Sequence, residues 1–300
     1  MLAIPINFNP LNMNYFKLLT CLFLLLLLAS CEEEEELPQT KSDPITSINS
    51  LIGVDSLIKL NLSKSIGSPV EIQYISDAKI TAYKNDKELG ELVYRENGTY
   101  ELPNQYMESE TEYEITITHP SFNTITTNTI TPEKILINDI KILNEASEGK
   151  TTFELKFTDD ASKSNYYMLL VKGISNNNSN VIQYYSNDIV FEGNLNVNDN
   201  GFEQNMLRGS RSFSDENFES SQVEISFYIL ANDFFVDYQE YKIELYHLNE
   251  DYFNYERSFV SLENKGDIPF SNKTNLYSNV EGAFGIFTSY ALDYKIVPKQ

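Results

Sequence analysis

The chain has 300 residues, enough for two domains at the usual size of about 100–200 residues each, and its 22 Lys plus Arg against 44 Asp plus Glu give a formal charge of −22. Such an acid surplus excludes partners whose phosphates must be neutralised, nucleic acid first among them, and makes an anionic bilayer surface a poor partner for the folded part. Trp is absent, whereas 20 Tyr and 18 Phe supply large, half-polar contact surfaces.

Lys17 precedes an apolar run, Leu18 to Leu28, broken only by Thr20 and Cys21, and then come Ala29, Ser30 and Cys31. About a dozen apolar residues fall short of the roughly 20 that span a bilayer as a helix, so residues 1–30 read as a cleaved signal rather than an anchor. Met13 is an alternative start ahead of that run. Leu28-Ala29-Ser30-Cys31 resembles a bacterial lipobox, which implies that Cys31 becomes the first mature residue and carries diacylglycerol on sulfur and an acyl chain on nitrogen. Several chains hold far more firmly than one, since each buried methylene contributes about 0.8 kcal/mol. With Cys21 lost and Cys31 acylated no thiol remains, so no disulfide framework, thiolate metal site or Cys nucleophile is expected. Glu32 to Glu36 and the stretch to Pro44 read as a solvated, self-repelling tether over residues 31–44. Acidic residues directly behind the lipidated Cys also resemble the label that sends lipoproteins to the surface face of the outer membrane in one Gram-negative phylum. The expected address is therefore the outer membrane, lipid-anchored and facing outward, with the periplasmic leaflet as the alternative.

From Ile45 the pattern turns to short alternating runs between Gly, Asn, Asp and Pro, as in an all-β chain. Strands are expected at Ser56–Leu62, Ala78–Tyr83, Glu91–Tyr94, Glu112–Thr118 and Thr124–Ile130, and Asn97-Gly98 between strand formers predicts a tight hairpin. These make an N-terminal immunoglobulin- or transthyretin-like β-sandwich over residues 45–132, ending at Thr131-Pro132. Residues 133–300 form a larger β-sandwich or barrel-like domain, with strands at Ile135–Leu143, Thr151–Phe157, Tyr166–Lys172, Val181–Tyr185 and Val223–Leu230. After Leu230, Phe235, Tyr238, Tyr241, Leu245, Leu248 and Tyr252 recur at three- and four-residue steps, with Glu240, Glu244, His247 and Asp251 opposite and Asp233 at the N-cap position. This predicts one amphipathic helix over 234–253, whose aromatic stripe packs on a sheet or, alternatively, forms a sugar platform. A closing strand is expected near Asp293–Val297, and glycines inside the apolar runs before it mark bulges or close backbone approaches.

A lipobox, an N-terminal sandwich, a strand leading into a Tyr-rich helix, Phe213-Ser214-Asp215, and a terminal Tyr277-Ser278-Asn279-Val280 followed by Gly285-Ile286-Phe287 and Tyr290 together resemble the domain-of-unknown-function 4249 lipoproteins. Glu281-Gly282 stands where that family's terminal motif has Asn-Gly. The resemblance implies an outer-membrane lipoprotein, often encoded beside a TonB-dependent receptor β-barrel, with no established enzymatic activity and hence no catalytic residues to carry over. It points to Tyr277, Asn279, Phe284, Phe287 and Tyr290 as candidate partner or ligand contacts.

Independent signs of chemistry are few. His119 and His247 are too few for a His-rich metal site and read as surface or turn residues, and neither a Gly-x-Ser-x-Gly elbow nor a phosphate loop is present. Asn196 to Gly201 copies the start of a calcium loop, but Leu207 stands where a bidentate Glu is required. Asp159-Asp160 poses the same choice between a loose calcium site and a plain loop. No cofactor or metal is expected, and the reading is of a non-catalytic surface lipoprotein serving a TonB-dependent receptor in nutrient uptake. The alternatives are a stand-alone glycan-binding or adhesin-like module and, third, a glycosidase, which needs two carboxylates about 5–9.5 Å apart.

Overall fold

The computed structural model describes residues 44–66, 71–145, 149–176, 178–191, 196–197, 203–204, 206–207, 211–218, 221–230, 237–265 and 276–299. The predicted signal over residues 1–30, Cys31, the acidic run, Asp233, Phe235 and most of the calcium-like Asn196 to Gly201 stretch lie outside the described residues. In the first half the strands are β1 (Ile45–Gly53), β2 (Leu57–Ile66), β3 (Glu71–Tyr74), β4 (Lys79–Lys84), β5 (Lys87–Glu91), β6 (Val93–Tyr94), β7 (Thr99–Tyr106), β8 (Glu112–His119) and β9 (Phe122–Ile130). The second half adds β10 (Ile137–Glu145), β11 (Lys150–Thr158), β12 (Tyr166–Ser175), β13 (Asn178–Val181), β14 (Tyr184–Tyr185), β15 (Asn196–Val197), β16 (Glu203–Gln204), β17 (Met206–Leu207), β18 (Arg211–Ser214), β19 (Gln222–Leu230), β20 (Glu240–Leu248), helix α1 (Glu250–Lys265) and β21 (Phe284–Pro298). The chain is mainly β, built as sandwiches, and no sheet of the described residues closes into a barrel.

Alternation decides which side chains meet. Ile48, Leu60 and Leu62 from the sheet containing β1, β2 and β7 face Ile80, Ile115 and Ile125 from the β5-β4-β8-β9 sheet, closing the first core. The second core lies between β12 and β20 on one side and the β10-β11-β19-β14-β17 sheet on the other, filled by Phe153, Phe157, Tyr167, Phe227 and Ile243. At the predicted hairpin Asn97 and Gly98 have φ of 49° and 76°, and the Thr99 N–H donates to the Glu96 carbonyl at 2.8 Å.

One ten-stranded sheet runs through both sandwiches: eight strands follow the order β13-β12-β20-β21-β1-β2-β7-β6, and β18 pairs with β12 and β3 with β2 beside that path. Its seam is β21, which pairs in parallel with β1 from Ser47↔Phe284 to Gly53↔Tyr290 and antiparallel with β20 from Leu248↔Tyr290 to Glu240↔Pro298. Phe287 thereby enters the first core and Val297 packs on the second. Close approach at this seam explains one glycine: Gly285 has φ +112°, and a Cβ there would lie 1.8 Å from the Ile48 carbonyl oxygen.

The helix differs from the sequence expectation. Residues 240–248 are a strand, and the helix begins only at Glu250. Glu240–Leu248 carries both periods: Tyr241, Leu245 and Leu248 fit a helical stripe, but Tyr241, Ile243, Leu245 and His247 also alternate, and Ile243 belongs only to the strand face. Flanking β12 and β21 pair with this segment along both edges, which satisfies its backbone in extended form. Helix α1 starts where those ladders end. Asn249 caps it, its Oδ1 accepting the Asp251 N–H at 2.7 Å, and Glu250 and Asp251 place negative charge in the first turn. Phe253 of the helix covers Met168 and Leu248 on the outer sheet face.

Candidate functional site

The terminal motif forms a stitch between elements. Asn279 Nδ2 donates to the Phe287 carbonyl at 2.8 Å and its Oδ1 accepts the Phe287 N–H at 3.0 Å, so its amide imitates a strand neighbour for β21. The same Nδ2 reaches Asp251 Oδ2 of α1 at 3.0 Å, and the Tyr277 hydroxyl donates to Asp251 Oδ1. Burial, with Asp251 beside it, pushes the Tyr277 phenol up to about 12. Phe287 is wholly buried, and Tyr290 packs on Tyr246 and Tyr252 under α1. Phe284 differs: it is 59% exposed and lines a shallow groove with Phe122, Pro44 and Ile45, where the tether joins β1. Gly282, with φ +83° and open space around its Cβ position, turns the chain between Glu281 and Ala283.

A second constellation lies beside the segment that links the sandwiches. Thr131 ends β9 firmly: its N–H donates to the Thr111 carbonyl at 3.0 Å, and its Oγ1 accepts the Thr111 N–H at 2.8 Å. The chain then passes without regular secondary structure through Pro132 to Leu136, and between this stretch, the end of β11, the start of β12 and the end of β20 opens a cleft of about 500 Å³. That volume falls in the range of small-molecule sites, about 300–1,000 Å³.

Its floor is buried and polar. Asp159, 4% exposed, accepts the Tyr167 hydroxyl at 2.6 Å and Asn165 Nδ2 at 3.1 Å on Oδ1. Burial and the adjacent Asp159 hold the Tyr167 phenol far above its ordinary range, so it stays protonated. His247, 8% exposed, stacks on the Tyr167 ring at 5.1 Å and holds the Glu133 carbonyl at 2.8 Å through Nδ1. A carbonyl only accepts, so that contact assigns the proton to Nδ1 and leaves a lone pair on Nε2. Burial lowers the pKa of the ring below the usual imidazole value, keeping it neutral at pH 7. Asp215, which accepts the Asn165 N–H at 2.8 Å, is raised by burial and, secondarily, by the Asp159 charge.

The rim is ionic and already paired. Lys134 contacts Asp55 of the first sandwich, and Lys163 lies 3.4 Å from Glu110, 3.5 Å from Asp160 and 3.9 Å from Glu133. Asp160 is held lower than an ordinary carboxyl by the Ser162 hydroxyl and N–H. Among the described residues no group of three or more His, Cys, Asp and Glu could hold a metal ion. Among the described residues no hydrogen bond joins His247 to Asp159: the ring is held by the Glu133 carbonyl and the carboxyl by Tyr167 and Asn165.

Sequence reasoning noted Asp159-Asp160 as a loop and put His247 on the polar side of a helix. Only the alternation Tyr241-Ile243-Leu245-His247 carried the signal that His247 points inward. His119 lies at the β8–β9 turn, paired with Asp77 at 3.0 Å and stacked on Phe122.

The family model described as "Domain of unknown function (DUF4249)" matches residues 32–295. The chain belongs to the DUF4249 family. None of the curated proteins matches this DUF4249 chain. Similar solved structures include a putative carbohydrate binding protein from Bacteroides uniformis ATCC 8492, at 8% identity and TM-score 0.24, over 85% of this chain and 98% of that one. Others are the β-glucuronidase of Parabacteroides merdae, at 10% identity and TM-score 0.21 over 69% and 23% of the two chains, and the collagen adhesin of S. aureus, at 10% identity and TM-score 0.21 over 86% and 96%. No helix among the described residues of the DUF4249 chain is long and apolar enough to cross a membrane.

Proposed function

We propose that this DUF4249 chain is a non-catalytic lipoprotein, anchored through Cys31 on the surface face of the outer membrane, that binds ligand as an accessory of a TonB-dependent receptor in nutrient uptake. The observation that carries the reading is the order of parts. Leu28-Ala29-Ser30-Cys31 is followed at once by Glu32 to Glu36, and the folded body opens at Ile45, 45 − 31 = 14 residues beyond the Cys. Fourteen extended residues reach at most about 50 Å, at roughly 3.5 Å each. A linker of that reach is long enough to let a lipid-anchored body stand off the bilayer, and like charges along a chain disfavour its collapse.

Binding is supported by the cleft, whose buried groups are a protonated phenol, a neutral imidazole held by a carbonyl through one nitrogen, and a carboxyl held by Tyr167 and Asn165 through one oxygen. The receptor partnership is supported by the association of the family with such receptors. The acid surplus of the chain, a formal charge of −22 over all 300 residues, favours solubility and repels polyanions. Affinity capture of the lipidated protein from detergent-solubilised outer membranes tests the reading: a β-barrel receptor is expected with it, and recovery of the protein alone contradicts the partnership. Recovery alone together with glycan binding on intact cells is the outcome for a stand-alone glycan-binding surface module, a reading favoured by a cleft that is complete within this chain.

A further inference from the structure

We infer that the cleft beside the 131–136 linker is a binding site for a small, uncharged, polyhydroxylated ligand of monosaccharide size, with His247 and Asp159 as its principal acceptors. This deepens the proposed function and rests on its reading of the chain as a binding protein.

Two acceptor atoms on the cleft lack partners among the described residues. His247 is more than nine-tenths buried and lines the cleft, yet its Nε2 has no hydrogen-bond partner among the described residues while Nδ1 is fixed on the Glu133 carbonyl. Asp159 lines the same cleft, spends only Oδ1 on Tyr167 and Asn165, and leaves Oδ2 without a partner among those residues. Neither atom is sealed from solvent, so both acceptors are open to donors that enter the cavity, where ligand hydroxyls can replace water.

The third group is a donor. Thr158 Oγ1 accepts Asn138 Nδ2 at 2.9 Å and Gln222 Nε2 at 3.0 Å. Both lone pairs are thereby engaged and the hydroxyl proton is free to point outward on the cleft wall. A ligand matching this set must both give and take hydrogen bonds at neighbouring positions, which vicinal hydroxyls do. An ammonium only donates and finds no use for Thr158. An anion meets Asp159, Asp160 and Glu133, while Lys134 and Lys163 are already paired with carboxylates. Ile135 and Leu136, the latter 70% exposed, complete the wall with apolar surface suited to the C–H face of a sugar ring. Two acceptors, one donor and an apolar wall in about 500 Å³ define the site.

The test uses the full-length lipidated protein in a detergent without a sugar headgroup, titrated with glucose, galactose, mannose and myo-inositol, and separately with ethanolamine, by saturation-transfer NMR and calorimetry. Saturable binding of at least one of the four polyols is expected, with a loss of tenfold or more in His247→Phe and in Asp159→Asn. Leu136→Ala, on an exposed rim position, keeps the test readable if a floor variant does not fold, and weakens binding about threefold. Affinity falls as pH drops below the His247 pKa, because protonated Nε2 becomes a donor. The charged groups facing that ring are Glu133 and Lys134 of the linker, Asp159 and Asp160 at the end of β11, and Lys163 of the following loop. Absence of saturable polyol binding, unchanged affinity in folded His247→Phe, Asp159→Asn and Leu136→Ala, or binding of ethanolamine alone overturns the inference. Those failures leave lipidation and receptor capture standing, whereas an unlipidated protein that still binds a polyol sinks the proposed location and leaves the cleft intact.

Discussion

Replacing Asn279 by Ala separates a structural role from a contact role for the terminal motif. The side chain makes two hydrogen bonds to the Phe287 backbone, at 2.8 and 3.0 Å, a third to the Asp251 carboxylate at 3.0 Å and a long fourth to the Asn128 carbonyl at 3.5 Å. Neutral bonds contribute about 0.5–1.5 kcal/mol each and one to a charged group about 1.5–3 kcal/mol. Such bonds are not additive, and the half-buried position admits water to the vacated groups, so the expected loss is about 3 kcal/mol rather than the full sum. Urea unfolding of the unlipidated full-length chain should show the midpoint moving down with an unchanged slope, and thermal unfolding a fall of about 6–12 °C. Phe284→Ala serves as the internal reference, since at 59% exposure it should cost no more than about 0.5 kcal/mol. An Asn279→Ala variant as stable as Phe284→Ala would refute the stitch and return Asn279 to the set of free contact residues.

Gly285→Ala should abolish soluble expression or cost several kcal/mol, measured by soluble yield and unfolding midpoint, because the new Cβ meets the Ile48 carbonyl oxygen at 1.8 Å and φ is +112°. Glu244, 1% exposed, is bound by Lys172 and Lys242 at 2.8 and 2.7 Å and by the Tyr246 hydroxyl at 2.9 Å. Glu244→Ala leaves two half-buried ammonium groups unpaired and should cost about 3 kcal/mol in denaturant unfolding, more than Lys172→Ala. Burial depresses the pKa of His247 in the folded protein, so the unfolded chain binds the extra proton first as pH falls. The stability owed to neutral His247 is present above about pH 6.5, the unfolded imidazole value, and is lost progressively below it. Unfolding midpoints taken from pH 7.5 to 5 should therefore fall more steeply in the parent than in His247→Phe, and parallel profiles would contradict a buried, neutral ring.

Much of the fold is legible because alternation is a local property. Leu57–Ile66, Lys79–Lys84, Glu112–His119 and Gln222–Leu230 are strands where period-2 runs predict them, and Asn97-Gly98 turns as its chemistry requires. What local pattern does not carry is the identity of neighbours. Glu240–Leu248 satisfies either period, and its extended form is decided by β12 and β21, one of them some 70 residues earlier and the other some 45 later, so the ladder overrode the helical stripe. The parallel pairing of β1 with β21 joins opposite ends of the chain, and only Gly285 hinted at it. The cleft was hidden for the same reason: His247, Asp159 and Tyr167 lie on three strands or strand ends and meet only once the sheets are stacked. The terminal motif was visible as a motif, but its hydrogen bonds to Asp251 and Phe287 show how it holds the structure together.

The account stands most directly on acylation at one residue. Mass spectrometry of the N-terminal peptide from protein isolated in its native membrane should show a chain beginning at Cys31 with diacylglycerol on sulfur and an acyl group on nitrogen. A free Cys31 thiol, or a chain cleaved elsewhere and recovered in the soluble fraction, would contradict it.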